Sequence, residues 1–334
     1  MITLAELDYE LPPERIAQSP VRPRDAARLL VVDREPAGLT GLLFSDLPAH
    51  LGQDDLLIVN DTRVIPAKLR GQKESGGRAE ALLLERRPDA TWLALVKCTG
   101  RLRPGLCLRF GALRGLLEAI QPDGVSVLRF DSDSCVSPEV LLEKSGEAPL
   151  PPYIRREAPS PQDFEDYQTI FAQVPGAVAA PTASLHFTPE LAARLPIAKV
   201  TLHIGPGTFR PLQEGSLDDH LLAPEAFDIP EATAIAISRA RRSGGRVIAV
   251  GTSVVRALET TGGDAGHGQS GLFIRPGHRF RVVDSLITNF HLPRSTLLLL
   301  VMAFAGANRI RHAYAHAIAE GFRFYSYGDA MWIR

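Results

Sequence analysis

Ala148-Pro149-Leu150-Pro151-Pro152-Tyr153 divides the chain into two kinds of sequence. Proline fixes its own φ and pushes the preceding residue away from helical geometry, so this density of prolines predicts an extended connector. Downstream, helical and strand-like stretches alternate: residues 189–195 read as helix, 198–204 as strand, 230–243 as helix and 247–250 as strand. Such alternation signals an α/β layer. Upstream, residues 79–85, 91–97, 106–110, 113–120 and 125–130 are short alternating runs punctuated by Gly, Pro and Asp, the pattern of a small barrel or sandwich. Nearer the N-terminus the α/β character returns, with strands expected at 28–32 and 55–59 and a short helix at 44–51. The simplest assembly is a discontinuous α/β domain, residues 1–65 plus 152–334, with an all-β domain inserted at 66–151.

A length of 334 residues supports two domains, and 45% hydrophobic with 22% charged residues excludes disordered and fibrous classes. The apolar run 297–305 is too short to span a bilayer, and no basic segment followed by an apolar one opens the chain. A cytoplasmic protein without a membrane anchor is expected. Three cysteines, Cys98, Cys107 and Cys135, suggest neither a disulfide framework nor a zinc site. The net charge of −1 argues against indiscriminate nucleic-acid binding while allowing a local basic face. Only five of the 37 basic residues are Lys; the Arg excess suits bidentate contact with phosphate or carboxylate, although genomic base composition explains most of it.

Several strand-end clusters can carry chemistry. Asn289-Phe290-His291-Leu292-Pro293-Arg294-Ser295-Thr296 joins an alternating run, 280–287, expected as a strand, to an apolar helix that Ser295 can cap. Asn289 and His291 thus stand at a helix entrance, either bracing the turn or facing an anion. In Val200 to Phe209, a strand carrying His203 breaks into Gly205, Gly207 and Thr208, where backbone can approach a ligand without a P-loop's spacing or lysine. Gly251, Thr252 and Arg256 repeat the theme after another apolar strand, as helix cap or anion seat. Thr182, His186 and Phe187 lie before a helix capped by Thr188 and would suit a flat cationic ligand, or belong to the core. Asn60, Asp61 and Arg63 follow a strand. No Ser-His-Asp spacing, metal-ligand group or dinucleotide fingerprint is present, which leaves an α/β enzyme for an anionic or cationic-aromatic ligand, working without a metal.

Together these segments, with Asp8 to Pro12, Arg24 to Leu30, Asn60 to Ala67, Ile287 to Gly306 and Tyr327-Gly328-Asp329-Ala330-Met331, resemble the S-adenosylmethionine:tRNA ribosyltransferase-isomerases of bacterial queuosine biosynthesis nearly end to end. The resemblance implies an α/β, barrel-like domain with an inserted small β-barrel. It also implies transfer and isomerisation of the ribosyl part of S-adenosylmethionine onto the aminomethyl group of a 7-deazaguanine in tRNA, releasing adenine and methionine. S-adenosylmethionine is then a co-substrate, no separate cofactor is needed, tRNA is the partner and a monomer is expected. For the proton next to the sulfonium, His186, His203, His291, Asp61 and Asp329 are candidates. Arg256, Thr252 and Asn289 are expected to hold substrate, and Phe187 and Tyr327 to pack against sulfonium or base. Arg24, Arg28, Arg155 and Arg156 are candidate phosphate contacts. The chain departs from the family pattern at Ser184, Pro206 and Ala223, where Gly, a non-proline residue and a second His are usual; Glu225 and His220 follow as weaker candidates. A relative that binds tRNA without transforming it, and a methyltransferase lacking the usual Gly-rich first loop, are the alternatives.

Overall fold

The computed structural model describes residues 3–132, 136–205, 207, 212 and 222–334. The chain forms β1 (Arg28–Asp33), turns back as β2 (Gly38–Leu43), and passes through the short 3₁₀ helix Phe44–His50 into β3 (Leu56–Asn60) and the short β4 (Thr62–Val64). Six strands follow: β5 (Lys68–Lys73), β6 (Arg78–Arg86), β7 (Thr91–Cys98), β8 (Cys107–Phe110), β9 (Leu113–Ile120) and β10 (Ser126–Ser132). They close into an antiparallel barrel in the order β10-β7-β6-β5-β8-β9. Alternation explains the closure: Ala79, Ala81 and Leu83 of β6 and Leu113 and Leu117 of β9 are buried inside while their neighbours face out. Helix α1 (Pro138–Ser145) packs on β9 and β10, contributing Leu141 and Leu142 to the barrel's core.

The barrel's entry and exit meet at a neck. Lys68 N–H donates to Glu147 O at 3.2 Å, and Glu147 N–H donates to Lys68 O at 2.7 Å. A Cβ on Gly146 would stand 2.1 Å from the Pro66 carbonyl oxygen, so glycine alone lets the two segments approach this closely.

Beyond the neck come α2 (Pro161–Asp166), β11 (Val174–Ala177), which pairs in parallel with β4, α3 (Pro189–Ala192), β12 (Ile197–Leu202) and β13 (Glu225–Ile229). They are followed by α4 (Glu231–Arg242), β14 (Val247–Val250), α5 (Thr252–Thr261), β15 (Gly266–Ser270) and β16 (Ser285–Asn289). Helices α6 (Thr296–Ala305) and α7 (Ala307–Ala319) and strand β17 (Ala330–Ile333) complete the chain. The large sheet has nine strands in the order β15-β13-β12-β3-β14-β16-β17-β1-β2. Among the described residues it ends at β15 and β2, so the α/β layer is an open sheet and the insert is the part that closes.

At the centre of this sheet β12, β3, β14 and β16 run parallel, with residues pointing alternately to two cores. Leu56 and Ile58 of β3 join Val200, Val247 and Leu286 on one face, beneath α5 and α6; Leu57 and Val59 join Ile248, Val250 and Trp332 on the other, with Phe44 and Phe187. Burial on both faces is why these strands read as continuous apolar runs. Helix α6 is apolar nearly all round and correspondingly buried. One expected strand starts late: residues 280–284 are not in the sheet. The buried carboxylate of Glu259 on α5 accepts hydrogen bonds from the backbone N–H groups of Arg281, Val282 and Val283 at 2.8–3.0 Å, taking the donors that a strand ladder would use.

Candidate functional site

The four central strands end at one edge of the sheet, and their carboxyl-terminal turns carry most of the clusters singled out in the sequence. β3 leads into Asp61 to Arg63, β12 into His203 to Gly207, β14 into Gly251 and α5, and β16 into Phe290 and His291. That edge is where parallel α/β sheets gather their ligands. Here it opens on a cavity of about 1120 Å³, whose opposite wall is the barrel. Arg63, His203, Gly205, Gly207 and Arg256 line it from the α/β side; Leu83, Leu84, Trp92 and Leu93 line it from the barrel. A small recess of about 40 Å³ adjoins it, sharing Ile204, Glu225, Arg256 and Leu297, and is walled by Thr182, Gly251, Thr252 and His291.

Arg256 and Glu225 stand where cavity and recess meet. Both are buried and form an ion pair, while Arg256 also donates to the carbonyls of Leu272 at 3.2 Å and Ser270 at 3.1 Å. Glu225 in turn accepts from Gly205 N–H at 2.8 Å, fixing the glycine turn after β12. Arg256 is therefore committed to a protein carboxylate rather than held ready for a ligand's. Arg63 is exposed at the cavity and has no hydrogen-bond or ion-pair partner among the described residues.

His203 differs from the other candidate histidines. It is half-buried, lines the cavity, and its Nδ1 lies 2.8 Å from Thr62 Oγ1. Burial lowers its pKa from the ordinary value and Asp61 partly opposes this, so the ring is neutral at physiological pH. A side chain at Gly176 of β11 would come within 2.7 Å of the His203 ring; glycine there makes room for it. His291 borders the recess but is buried, with Nε2 2.8 Å from Thr288 Oγ1 and its backbone N–H donating to the Tyr314 hydroxyl at 2.9 Å. Burial pushes it down to about 3. His186 is likewise held at about 3, by burial and then by the Arg323 and Arg24 charges. It lies against Phe44, with Asn289 Nδ2 at 3.2 Å from its Nε2, and lines neither cavity.

Other expected site residues are placed elsewhere. Asn60 is spent within the sheet, donating to Leu202 O and Ser253 Oγ and accepting from the N–H groups of Thr62 and Leu202. Asp61 is buried beneath the turn and accepts from the Thr201 hydroxyl at 2.6 Å. Asp329 accepts from the backbone N–H groups of Arg28 at 3.0 Å and Arg323 at 2.8 Å, tying β17 to β1. Phe187 sits in the core against Phe44 and Phe171, Tyr327 packs edge-on against Tyr167, Asn289 turns away from both cavities to the Tyr325 carbonyl, and Ser295 caps α6 through Leu298 N–H. These four side chains are buried and line neither the cavity nor the recess. Thr208, Pro206 and His220 lie outside the described residues. Of the candidate phosphate contacts, Arg24 is engaged by the carbonyls of Gln168 and Glu165, Arg28 by the Phe322 ring and Glu320 O, and Arg156 by Asp163; Arg155 is exposed. Thr62 and the barrel residues were not singled out by sequence, although Thr62 stands inside a quoted motif and Trp92 is one of two tryptophans.

The buried histidines make acid sensitivity calculable. Unfolded histidine takes up a proton near its ordinary 6.5, whereas His186 and His291 stay neutral in the fold down to about 3. Unfolding therefore binds protons across that window, and stability falls as pH drops through it, by about 1.4 kcal/mol per pH unit for each group. Urea midpoints measured between pH 7 and 5 should fall less steeply for His186→Gln than for the parent chain; an identical slope would show that this ring is protonated in the fold.

A family model described as "Queuosine biosynthesis protein" matches residues 4–333. The chain belongs to this family. It is 50% identical over 345 residues to the S-adenosylmethionine:tRNA ribosyltransferase-isomerase of Acidiphilium cryptum, with 98% of each chain covered. The enzyme of the same name from Thermus thermophilus is 48% identical over 350 residues, with 99% of each covered. Among solved structures, S-adenosylmethionine tRNA ribosyltransferase from Thermotoga maritima is 34% identical with a TM-score of 0.55, the match covering 98% of this chain and all of that one. The family match thus bears out the resemblance carried by the motifs, and the open sheet with its closed six-stranded barrel is the α/β architecture with a small β-barrel that it implied. Among the described residues, no helix is long and apolar enough to cross a membrane and no group of three or more His, Cys, Asp or Glu is placed to hold a metal ion.

Proposed function

We propose that this chain transfers and isomerises the ribosyl moiety of S-adenosylmethionine onto the aminomethyl group of 7-aminomethyl-7-deazaguanine in tRNA, giving epoxyqueuosine-tRNA, adenine and methionine. It acts as a cytoplasmic monomer that consumes S-adenosylmethionine as co-substrate and needs no further cofactor. Residues 66–151 are its inserted domain, and residues 1–65 with 152–334 carry the catalytic groups. The observation that carries the reading is the two-lobed cavity at the carboxyl edge of the parallel strands, in a chain half identical over its full length to relatives of that name. Ligand pockets usually span about 300–1,000 Å³. At about 1120 Å³ the cavity has room for a nucleoside-sized co-substrate together with an extruded base.

The chemistry requires a neutral base beside the sulfonium and support for the departing adenine. His203 supplies the base in this reading. Base catalysis through Nε2 calls for the tautomer in which Nδ1–H donates to Thr62 Oγ1, 2.8 Å away, and the depressed pKa keeps the lone pair available at neutral pH. The recess at the N-terminus of α5, walled by Thr252, suits the methionine carboxylate, since first-turn N–H groups and the helix dipole favour an anion. Glu225 and Arg256 hold the turn between these two subsites in place. Incubation with S-adenosylmethionine and precursor-bearing tRNA tests the proposal: adenine and methionine are expected. S-adenosylhomocysteine would point to methyl transfer, and tRNA binding without either product to a non-catalytic relative.

A further inference from the structure

The cavity's two ends differ in chemistry. The α/β end presents His203, glycine-turn backbone and a buried ion pair, whereas the barrel end presents an aromatic ring on an apolar floor with charged side chains at its rim. Trp92 of β7 is half-buried and lines the cavity; directly across the ladder from it is Arg86 of β6, exposed and lining the same cavity. Directly opposed residues of an antiparallel pair project to the same face, so these two side chains leave the ladder on the same side. The register of β6 shifts between Leu83 and Glu85, a bulge of the kind that re-aims side chains beside binding sites. Through it Leu84 and Glu85 also reach the cavity. Arg63, on the α/β side, is also exposed and lines the same cavity, so cations from both parts of the chain border it.

From this juxtaposition we infer that the barrel's bulged β6–β7 face is the platform for the tRNA nucleobase: Trp92 stacks on the extruded base while Arg86 and Arg63 meet the phosphates on either side of it. An aromatic face beside paired cations matches the alternation of π-face and phosphate in a single strand. The carboxylates of Glu85 and Asp123, which line the same end, complement the N–H donors of the base and of its aminomethyl group. The inference deepens the proposed reaction and rests on it. It assigns the inserted domain to tRNA recognition and leaves S-adenosylmethionine to the α/β end.

The test is steady-state adenine release with each substrate varied in turn. Because Trp92 also packs against the barrel core, Trp92→Leu, which retains apolar bulk without the π-face, is compared with Trp92→Phe. Loss of one stacked base corresponds to roughly a ten- to hundred-fold rise in KM for tRNA in the Leu variant. The KM for S-adenosylmethionine should be unchanged, and Phe should restore most of the loss. An unchanged KM for tRNA, or a rise confined to S-adenosylmethionine, would overturn the assignment. Absence of adenine release by the parent chain would instead overturn the reaction itself.

Discussion

Replacing Arg256 by Met should lower the unfolding free energy by about 3–5 kcal/mol, because it leaves the Glu225 carboxylate buried without the guanidinium that compensates it. The same change strips a donor from the Leu272 and Ser270 carbonyls, so the segment after β15 loses its attachment to α5. Urea titration measures this directly. The double variant Arg256→Met/Glu225→Leu should regain much of the loss, since removing both charges also removes the uncompensated one. Equal destabilisation in the single and double variants would mean that the pair contributes through packing rather than charge. Even where the double variant folds well, adenine release should remain low, because the glycine turn no longer has Glu225 to hold Gly205.

Replacing His203 by Gln should reduce adenine release by about 10²–10⁴-fold, the usual contribution of a positioned acid or base. Stability should change little, because the ring is half-buried at a cavity wall rather than packed in a core. The pH profile gives an independent check. A base works when unprotonated, and burial holds the His203 pKa below its ordinary value, so the acid limb of the profile should lie below pH 6.5. Asp61 pulls that pKa up; Asp61→Asn removes the pull, and the limb should move further toward acid. A limb that stays put in Asp61→Asn, or near-normal turnover in His203→Gln, would assign the proton transfer to another group.

The strands were largely legible because each occupies a simple environment. Runs buried on both faces, such as Leu57 to Val59, read as apolar, and barrel strands such as Ala79 to Leu83 read as alternating. Strand ends were legible as places too, since Gly251 at φ +99° marks where backbone must bend. Which way a side chain faces at those ends was not. His186, His203 and His291 occupy comparable motifs, and tertiary packing alone puts His203 at the cavity wall, His291 buried beside the recess and His186 in the interior. Phe187 has the composition of a cation-binding ring but fills the space beside Phe44. Trp92 and Arg86 are more than a hundred residues from His203 and the later sheet-edge motifs that share their cavity, and nothing local to β6 or β7 signals a partner on the α/β side. The run 280–284 misleads for a similar reason: the carboxylate of Glu259, some twenty residues earlier, competes for its amides.

The paired backbone bonds at Lys68 and Glu147 also bear on the order in which the molecule assembles. β4 and β11 pair across a stretch of about 110 residues in an open chain, but once the neck is tied the path between them shortens to about 30. Closure entropy grows with the logarithm of loop length, so a barrel that forms first spares the α/β sheet about 1 kcal/mol of search cost at this pairing. The barrel's own ladders are mostly hairpins between neighbouring strands, the kind of contact that forms early. The least costly route therefore runs from barrel to neck to sheet, and the barrel wall of the cavity is complete before the sheet edge that faces it.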